Sequence, residues 1–276
     1  MKIAFLSDSH YDETSRFEEC IRLHQWIARD AAERGCRIVL HGGDVFERRS
    51  TPQERLAVAD WLHRVGGLGM DAMFVRGNHD APGDLHLINY LALGGMVYEQ
   101  PGERWLTDWL RVACLPWPSR ASILAGARSR EDGEQQIAEA MRDVLRGLRS
   151  EEPGVTTLFL GHCMVRDSRT STGQPLVGCD VEVGLEDLAL VGADAYLLGH
   201  IHLHQQWDID GAPVIYPGSP RRTAFGEAEA KGYVVLTVEE GFGVVGWEFV
   251  EAPATPMVHI EAEWVEDHVG LPGDVI

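Results

Sequence analysis

The sequence predicts an α/β layered fold, with mixed β-sheets sandwiched and flanked by helices, and three features of its pattern lead there. Short apolar runs of the kind that form buried strands recur at 3–6, 38–40, 72–75, 157–160 and 195–198. Helical periodicity lies between several of them. Further strand-like runs at 110–115, 214–216, 233–238 and 244–250 make the later part of the chain strand-rich with few helices, which implies some antiparallel pairing.

Taken in order, the first run is Ile3-Ala4-Phe5-Leu6, apolar on both faces. Phe17, Cys20, Ile21, His24, Ile27, Ala28 and Ala31 then repeat on one helical face, and Leu56, Ala59 and Leu62 with His63 mark a second helix. Ile137, Met141, Val144, Leu145 and Leu148 mark a third, at about 134–149, after a loop at 117–133 that carries Pro118 and Gly126. The polar stretch 166–178 reads as a mobile flap. After residue 251, Pro253 and Pro256 break the strand pattern, so one domain is expected over 1–250, with 251–276 an acidic linker or a truncated C-terminal cap segment.

A chain of 276 residues with 45% apolar content can bury one sizeable core. No run approaches the roughly 20 apolar residues that span a bilayer, and the N-terminus has neither a basic region nor a cleavage site, so no membrane is expected and a cytoplasmic location is. The five cysteines (Cys20, Cys36, Cys114, Cys163, Cys179) are scattered and form no C-x-x-C pair, which speaks for buried reduced thiols. A formal charge of −19 argues against holding nucleic acid by bulk electrostatics. Residues 232–276, however, carry nine acids and no Lys or Arg, which leaves −10 (34 acids against 24 bases) on residues 1–231.

The chemistry lies where the polar residues fall. Each of the five buried-strand candidates ends in metal-capable side chains: Asp8-Ser9-His10, Gly42-Gly43-Asp44, Gly77-Asn78-His79-Asp80, Gly161-His162 and Gly199-His200-Ile201-His202. In α/β sheets ligands gather beyond the carboxyl ends of strands, so these endings can converge although they are far apart in sequence. Glycines suit the sharp turns there. Asp8, His10, Asp44, Asn78, His162, His200 and His202 supply two carboxylates, one amide oxygen and four imidazoles, enough for two divalent cations if one carboxylate bridges. Oxygen and imidazole donors without thiolate favour Mn, Fe, Zn or Mg. Two such cations can lower the pKa of a bridging water and clamp a phosphoryl group during in-line attack. One Gly-His pair alone is weak evidence. Five fragments together are not, because burying so many ionisable groups without cations would cost several kcal/mol each.

These fragments, in this order, match the signature D-x-H, G-D, G-N-H-[DE], G-H, G-H-x-H, and over residues 1 to about 225 the sequence resembles the calcineurin-like metallophosphoesterases. Within them it is most similar to the double-strand-break repair nuclease branch of SbcD type, on Gly43-Asp44-Val45-Phe46, Arg76-Gly77-Asn78-His79-Asp80, Leu115-Pro116-Trp117-Pro118, Tyr216-Pro217-Gly218-Ser219-Pro220-Arg221, Phe225-Gly226-Glu227 and Lys231-Gly232-Tyr233. The resemblance implies the layered metallophosphoesterase fold. It also implies that Asp8, His10, Asp44 and His202 hold one metal and Asp44, Asn78, His162 and His200 the other, with Mn expected. His79 would give a proton to the leaving oxygen and Asp80 would orient its imidazole. The branch commonly carries a histidine after its Asp-x-Phe, implicated in exonuclease action, where this chain has Glu47. The branch also continues into a DNA-facing cap and a segment that docks on an SMC-like ATPase of SbcC type, with homodimers in view, whereas about 25 residues follow the core here.

The leading expectation is therefore a Mn-dependent DNA exo- or endonuclease subunit. The alternative is a phosphodiesterase or phosphatase acting on a small nucleotide or phosphoprotein, suggested by the acidic charge and the short C-terminal part. A non-catalytic docking scaffold is disfavoured because no ligand position has been lost. Other polar and aromatic residues read plainly: His24, His63 and His86 as surface or helix-packing groups, His41 and His204 as flanking groups, Arg221 and Arg222 as solvated charges, and Trp105, Trp109 and Trp117 as packing.

Overall fold

The computed structural model describes residues 1–90, 95–118, 133–172 and 181–257. Most of the expected loop at 117–133, the end of the stretch 166–178, Cys179 and the tail beyond 257 lie outside them. The elements run β1 (Lys2–Leu6), α1 (Phe17–Glu33), β2 (Cys36–His41), α2 (Pro52–Gly67), β3 (Asp71–Val75), α3 (His86–Tyr90), β4 (Gly95–Tyr98), β5 (Gly102–Trp105) and β6 (Leu110–Leu115). They continue with α4 (Gly133–Gly147), β7 (Thr156–His162), β8 (Met164–Val165), β9 (Glu182–Val183), α5 (Leu185–Leu188), β10 (Ala195–Gly199), β11 (Gln205–Ile209), β12 (Ala212–Tyr216), β13 (Gly232–Glu239) and β14 (Gly243–Glu251).

Two six-stranded sheets stack face to face, in the orders β14-β13-β1-β2-β3-β4 and β11-β12-β10-β7-β6-β5. Strands β1 to β4 pair in parallel, as do β6, β7, β10 and β12, while β13, β14, β11 and β5 join antiparallel at the margins. Side-chain alternation divides each central strand between two cores. Ile3, Phe5, Leu40, Met73 and Val75 meet Val112, Leu158, Leu160, Leu197 and Ile215 between the sheets. Ala4, Leu6, Val39 and Phe74 face outward onto α1 and α2, and Ala113, Phe159, Tyr196 and Leu198 onto α4 and α5. Strands covered on both faces need apolar residues at every position, which is why they read as continuous runs in the sequence.

The helices form for local reasons as well. Cys20, Leu23, His24, Ile27, Ala28 and Ala31 bury one stripe of α1. Helix α2 opens with a reciprocal cap: Glu54 N donates to Thr51 Oγ1 (3.3 Å) and Thr51 N to Glu54 Oε2 (2.8 Å), with Pro52 in the first turn. Among the described residues no helix is long and apolar enough to cross a membrane. Cys20, Cys36, Cys114 and Cys163 are buried and not in disulfides, and burial pushes the thiols of Cys20 and Cys163 up to about 12.

Leu160 sits fully buried between the sheets and Leu56 is 62% exposed on α2. Leu160→Ala should cost about 2–5 kcal/mol in urea unfolding, whereas Leu56→Ala should stay within about 0.5 kcal/mol of the wild type.

Candidate metal centre

The carboxyl ends of β1, β2, β3, β7 and β10 point to one side of the stacked sheets, and the loops leaving them interlock. The parallel pairing of β1 with β2 continues past the strands through Gly42 N to Leu6 O (2.9 Å), Asp8 N to Gly43 O (3.0 Å), His10 N to Asp44 O (3.1 Å) and Tyr11 N to Val45 O (2.8 Å). Carboxylates then tie the other loops in. Asp44 Oδ1 accepts from His79 N at 2.8 Å, and Asp8 accepts from His200 N at 3.0 and 3.2 Å. Asp80 Oδ1 accepts from Phe46 N (3.0 Å) and Oδ2 from Gly77 N (2.9 Å).

This interlocking strains the backbone. Among the described residues seven non-glycine residues have a positive φ, and four of them are Asp8 (56°), His10 (46°), Asp44 (53°) and His200 (106°). Each such residue costs of order 1–3 kcal/mol, so the concentration at one spot marks a place where the surrounding hydrogen bonds over-determine the chain. The loops also approach closely. A Cβ on Gly77 would lie 2.3 Å from Asp44 N, and one on Gly199 would lie 2.2 Å from Gly42 O, so only glycine fits at either position.

The seven residues marked by the sequence come together. Asp8, His10 and His202 form one group of mutually close donor atoms, and Asp44, His162 and His200 a second. Asn78 joins the second: its Oδ1 lies 2.9 Å from His162 Nε2 and 3.1 Å from His200 Nδ1. Asp44 Oδ2 faces both groups, 3.9 Å from His10 Nε2 and 3.4 Å from His162 Nε2. His10 Nε2 and His202 Nε2 lie 3.0 Å apart. His162 donates its Nδ1 proton to Gly42 O (2.6 Å), so Nε2 is the nitrogen that faces the Asn78 oxygen and the Asp44 carboxylate. Such a gathering of acceptors in a buried place is self-repelling unless a positive charge is shared among them.

The titration behaviour of the protein alone has that same cause. Burial would depress the His162 imidazole, but the Asp44 carboxylate beside it outweighs burial and holds it up at about 9. Asp44, although buried, is held well below the usual carboxylate range by His162, His10 and His79. Burial and the Asp44 charge push Asp80 up to about 7 against its two backbone donors. The donor set fits divalent cations: imidazole nitrogens, carboxylates and one amide oxygen, with no thiolate among the described residues of the cluster.

The family model of the calcineurin-like phosphoesterase superfamily domain matches residues 1–241. The chain belongs to that superfamily. Membership supports a metal-dependent hydrolase, and the family implies divalent metal ions. The chain is similar to the DNA double-strand break repair protein Mre11 of Archaeoglobus fulgidus, at 26% identity over 95% of this chain and 62% of the relative. It is also similar to the protein of the same name from Methanosarcina mazei, at 22% over 86% of this chain and 36% of the relative. The chain thus spans only part of the length of these relatives. A dimetal phosphatase from Danio rerio has the same fold, with a TM-score of 0.53 at 12% identity over 91% of this chain and 97% of that one.

Several sequence expectations meet a different arrangement. Asp80 braces the backbone of Phe46 and Gly77, and the His79 ring is instead held by a hydrogen bond from Nδ1 to Glu47 O (2.7 Å). Arg221 is buried rather than solvated and donates to His10 O at 2.6 Å. Arg222 donates to the carbonyls of Glu227, Ala254, Thr255 and Glu229. His41 and His24 are joined through Ser9. Gly43 N donates to His41 Nδ1, so His41 Nε2 donates to Ser9 Oγ (2.7 Å); His24 Nδ1 donates to Cys20 O, so Ser9 donates to His24 Nε2 (2.6 Å). Burial keeps both rings neutral, His24 down at about 4. His204 stacks on Phe249 away from the centre, whereas Trp117 walls it, 4.9 Å from the His200 ring.

Sequence reasoning also missed the support behind His202. Its Nδ1 lies 3.2 Å from Thr223 Oγ1, which donates to Glu227 Oε1 (3.0 Å), and Glu227 Oε2 is 2.8 Å from Lys231 Nζ. Thr223 lies between the Arg221 and Phe225 fragments already singled out, so the signal was adjacent to residues that were read. Burial would raise the Glu227 carboxyl, but its bonds to His202, Lys231 and Thr223 hold it down at about 2. A depressed carboxyl contributes stability that is complete above its unfolded value near 4.5 and is lost as pH falls toward 2. Glu227→Gln should therefore be less stable than the wild type at neutral pH in urea unfolding, with the difference narrowing as pH drops through that window; a constant difference would show that the charge contributes nothing.

Proposed function

We propose that this chain is a dinuclear metal-dependent phosphodiesterase acting on DNA, of the SbcD and Mre11 type, with the enzyme domain over residues 1–250. The reading is carried by Asp44 Oδ2, which faces His10 on one side and His162 on the other between two donor groups. Asp8, His10, Asp44 and His202 would hold one cation, and Asp44, Asn78, His162 and His200 the other, with Mn as the metal. A bound pair of divalent cations would polarise a phosphoryl oxygen and supply an activated water at neutral pH.

The protein's own contribution is placement and a proton. Asp44 would help hold both cations, and its Oδ1 anchors the backbone of His79 at 2.8 Å. His79 gives its Nδ1 proton to Glu47 O, so Nε2 is the nitrogen presented to a leaving oxygen. Burial opposes charge on that ring, but Asp44 and Glu47 raise its pKa above the ordinary imidazole value. A positioned donor of this kind contributes about 10²- to 10⁴-fold. Asp80 serves by fixing the two loops that carry Asp44 and His79.

The two relatives, named as DNA double-strand break repair proteins, support DNA as substrate, and the resemblance of the motifs to the SbcD branch is what implies an SMC-like ATPase of the SbcC type as partner. A small nucleotide or phosphoprotein is the second reading, favoured by the charge of −19. Incubation with Mn(II), end-labelled single- and double-stranded DNA and a small phosphodiester reporter separates them: cleavage of the reporter with both DNAs intact would remove the nuclease reading. In the same assay His79→Ala should retain two bound metal equivalents and lose about 10²-fold or more of turnover. Asp44→Ala should lose both metal and turnover; equal metal loss in the two variants would contradict the assigned roles.

A further inference from the structure

Glu47 meets two imidazoles with two different groups. Its side-chain Oε2 lies 2.7 Å from His10 Nδ1, and its main-chain oxygen lies 2.7 Å from His79 Nδ1. Side-chain Oε1 is farther from His79 Nδ1, at 3.7 Å. The His10 side chain is 3% exposed and that of Glu47 is 40% exposed, so the carboxylate closes a buried ring from the solvent side. The residue cannot drift far. Glu47 N donates to Tyr11 O at 3.3 Å, Tyr11 bridges to Phe46, and Phe46 N is held by Asp80.

The geometry points to Glu47 as a positioning residue for the cation site of Asp8, His10 and His202: its carboxylate, 2.7 Å from His10 Nδ1, favours the proton on that nitrogen and so leaves the Nε2 lone pair for that site. The inference rests on the dinuclear reading above. A neutral imidazole has two tautomers, and the acceptor at one nitrogen decides which nitrogen is left to bind metal. A carboxylate in that role also raises the basicity of the binding nitrogen, and removing such a partner typically weakens metal affinity about 10- to 100-fold. In a buried ring without it, Nε2 can carry the proton and meet a cation with an N–H instead of a lone pair. The second donor group lacks this dependence, because His162 gives its Nδ1 proton to the main-chain oxygen of Gly42. The hold on His79 is likewise through the backbone and survives any side chain at position 47. Substitution at Glu47 therefore acts on one cation of the pair.

The test is titration of the full chain with Mn(II), following free metal by electron paramagnetic resonance, for the wild type, Glu47→Ala and Glu47→Gln, each checked by thermal melting. The wild type should take up two equivalents. Glu47→Ala should show one step weakened about 10- to 100-fold and the other unchanged. Glu47→Gln should lie nearer the wild type, because an amide oxygen accepts the same proton. Two unchanged steps in Glu47→Ala, or equal weakening of both steps together with a lowered melting point, would overturn the role of Glu47 and leave the dinuclear reading standing. A wild type that takes up no Mn(II) would overturn the dinuclear reading and this inference with it.

Discussion

Electron-rich atoms crowd around the Asp44 carboxylate, and most of the surrounding structure exists to keep them there. His10, His162 and the Asn78 oxygen all gather at this carboxylate, which is itself almost fully buried. Left to local preferences the loops would relax apart. They are prevented by backbone bonds that extend the β1–β2 pairing beyond the strands, by Asp8, which accepts from His200 N, and by Asp80, which joins Phe46 N of the loop after β2 to Gly77 N of its own loop. The positive φ values at Asp8, His10, Asp44 and His200 are the conformational cost of that arrangement.

The stacked sheets are what make such a cost tolerable. With both faces of β1, β2, β7 and β10 covered, the strand ends are fixed relative to one another, and loops of a few residues have little room to yield. Behind the imidazoles stand further groups that set their orientation: Gly42 O behind His162, Glu47 behind His10, Thr223 and Glu227 behind His202. Ser9, His24 and His41 form a neutral relay that ties α1 to the same loops without adding charge.

The central strands and the site were legible in the sequence because both obey short-range rules. Strands buried on two faces read as unbroken apolar runs, and the donors fall directly after them. Strands β5 and β11 lie at the margins, where exposed positions such as Glu103, Arg104 and Asp208 break the apolar pattern, and β4, β8 and β9 are too short to show one. The start of α2 is encoded locally, in the cap residues Thr51-Pro52-Gln53-Glu54. What the sequence could not disclose is which polar side chain turns toward which loop. Arg221 looks like a surface charge until the chain brings Ser9 and His10 carbonyls within reach, and Asp80 looks like a partner for the adjacent His79 until Phe46 and Gly77 offer it backbone N–H groups.

The proposed centre requires Asp44 to serve two cations at once. Anomalous diffraction from crystals grown with Mn(II) tests this directly. Two peaks are expected, one among Asp8, His10 and His202 and the other among Asn78, His162 and His200, both in contact with the Asp44 carboxylate. A single peak, or two peaks of which one lies clear of Asp44, would contradict it.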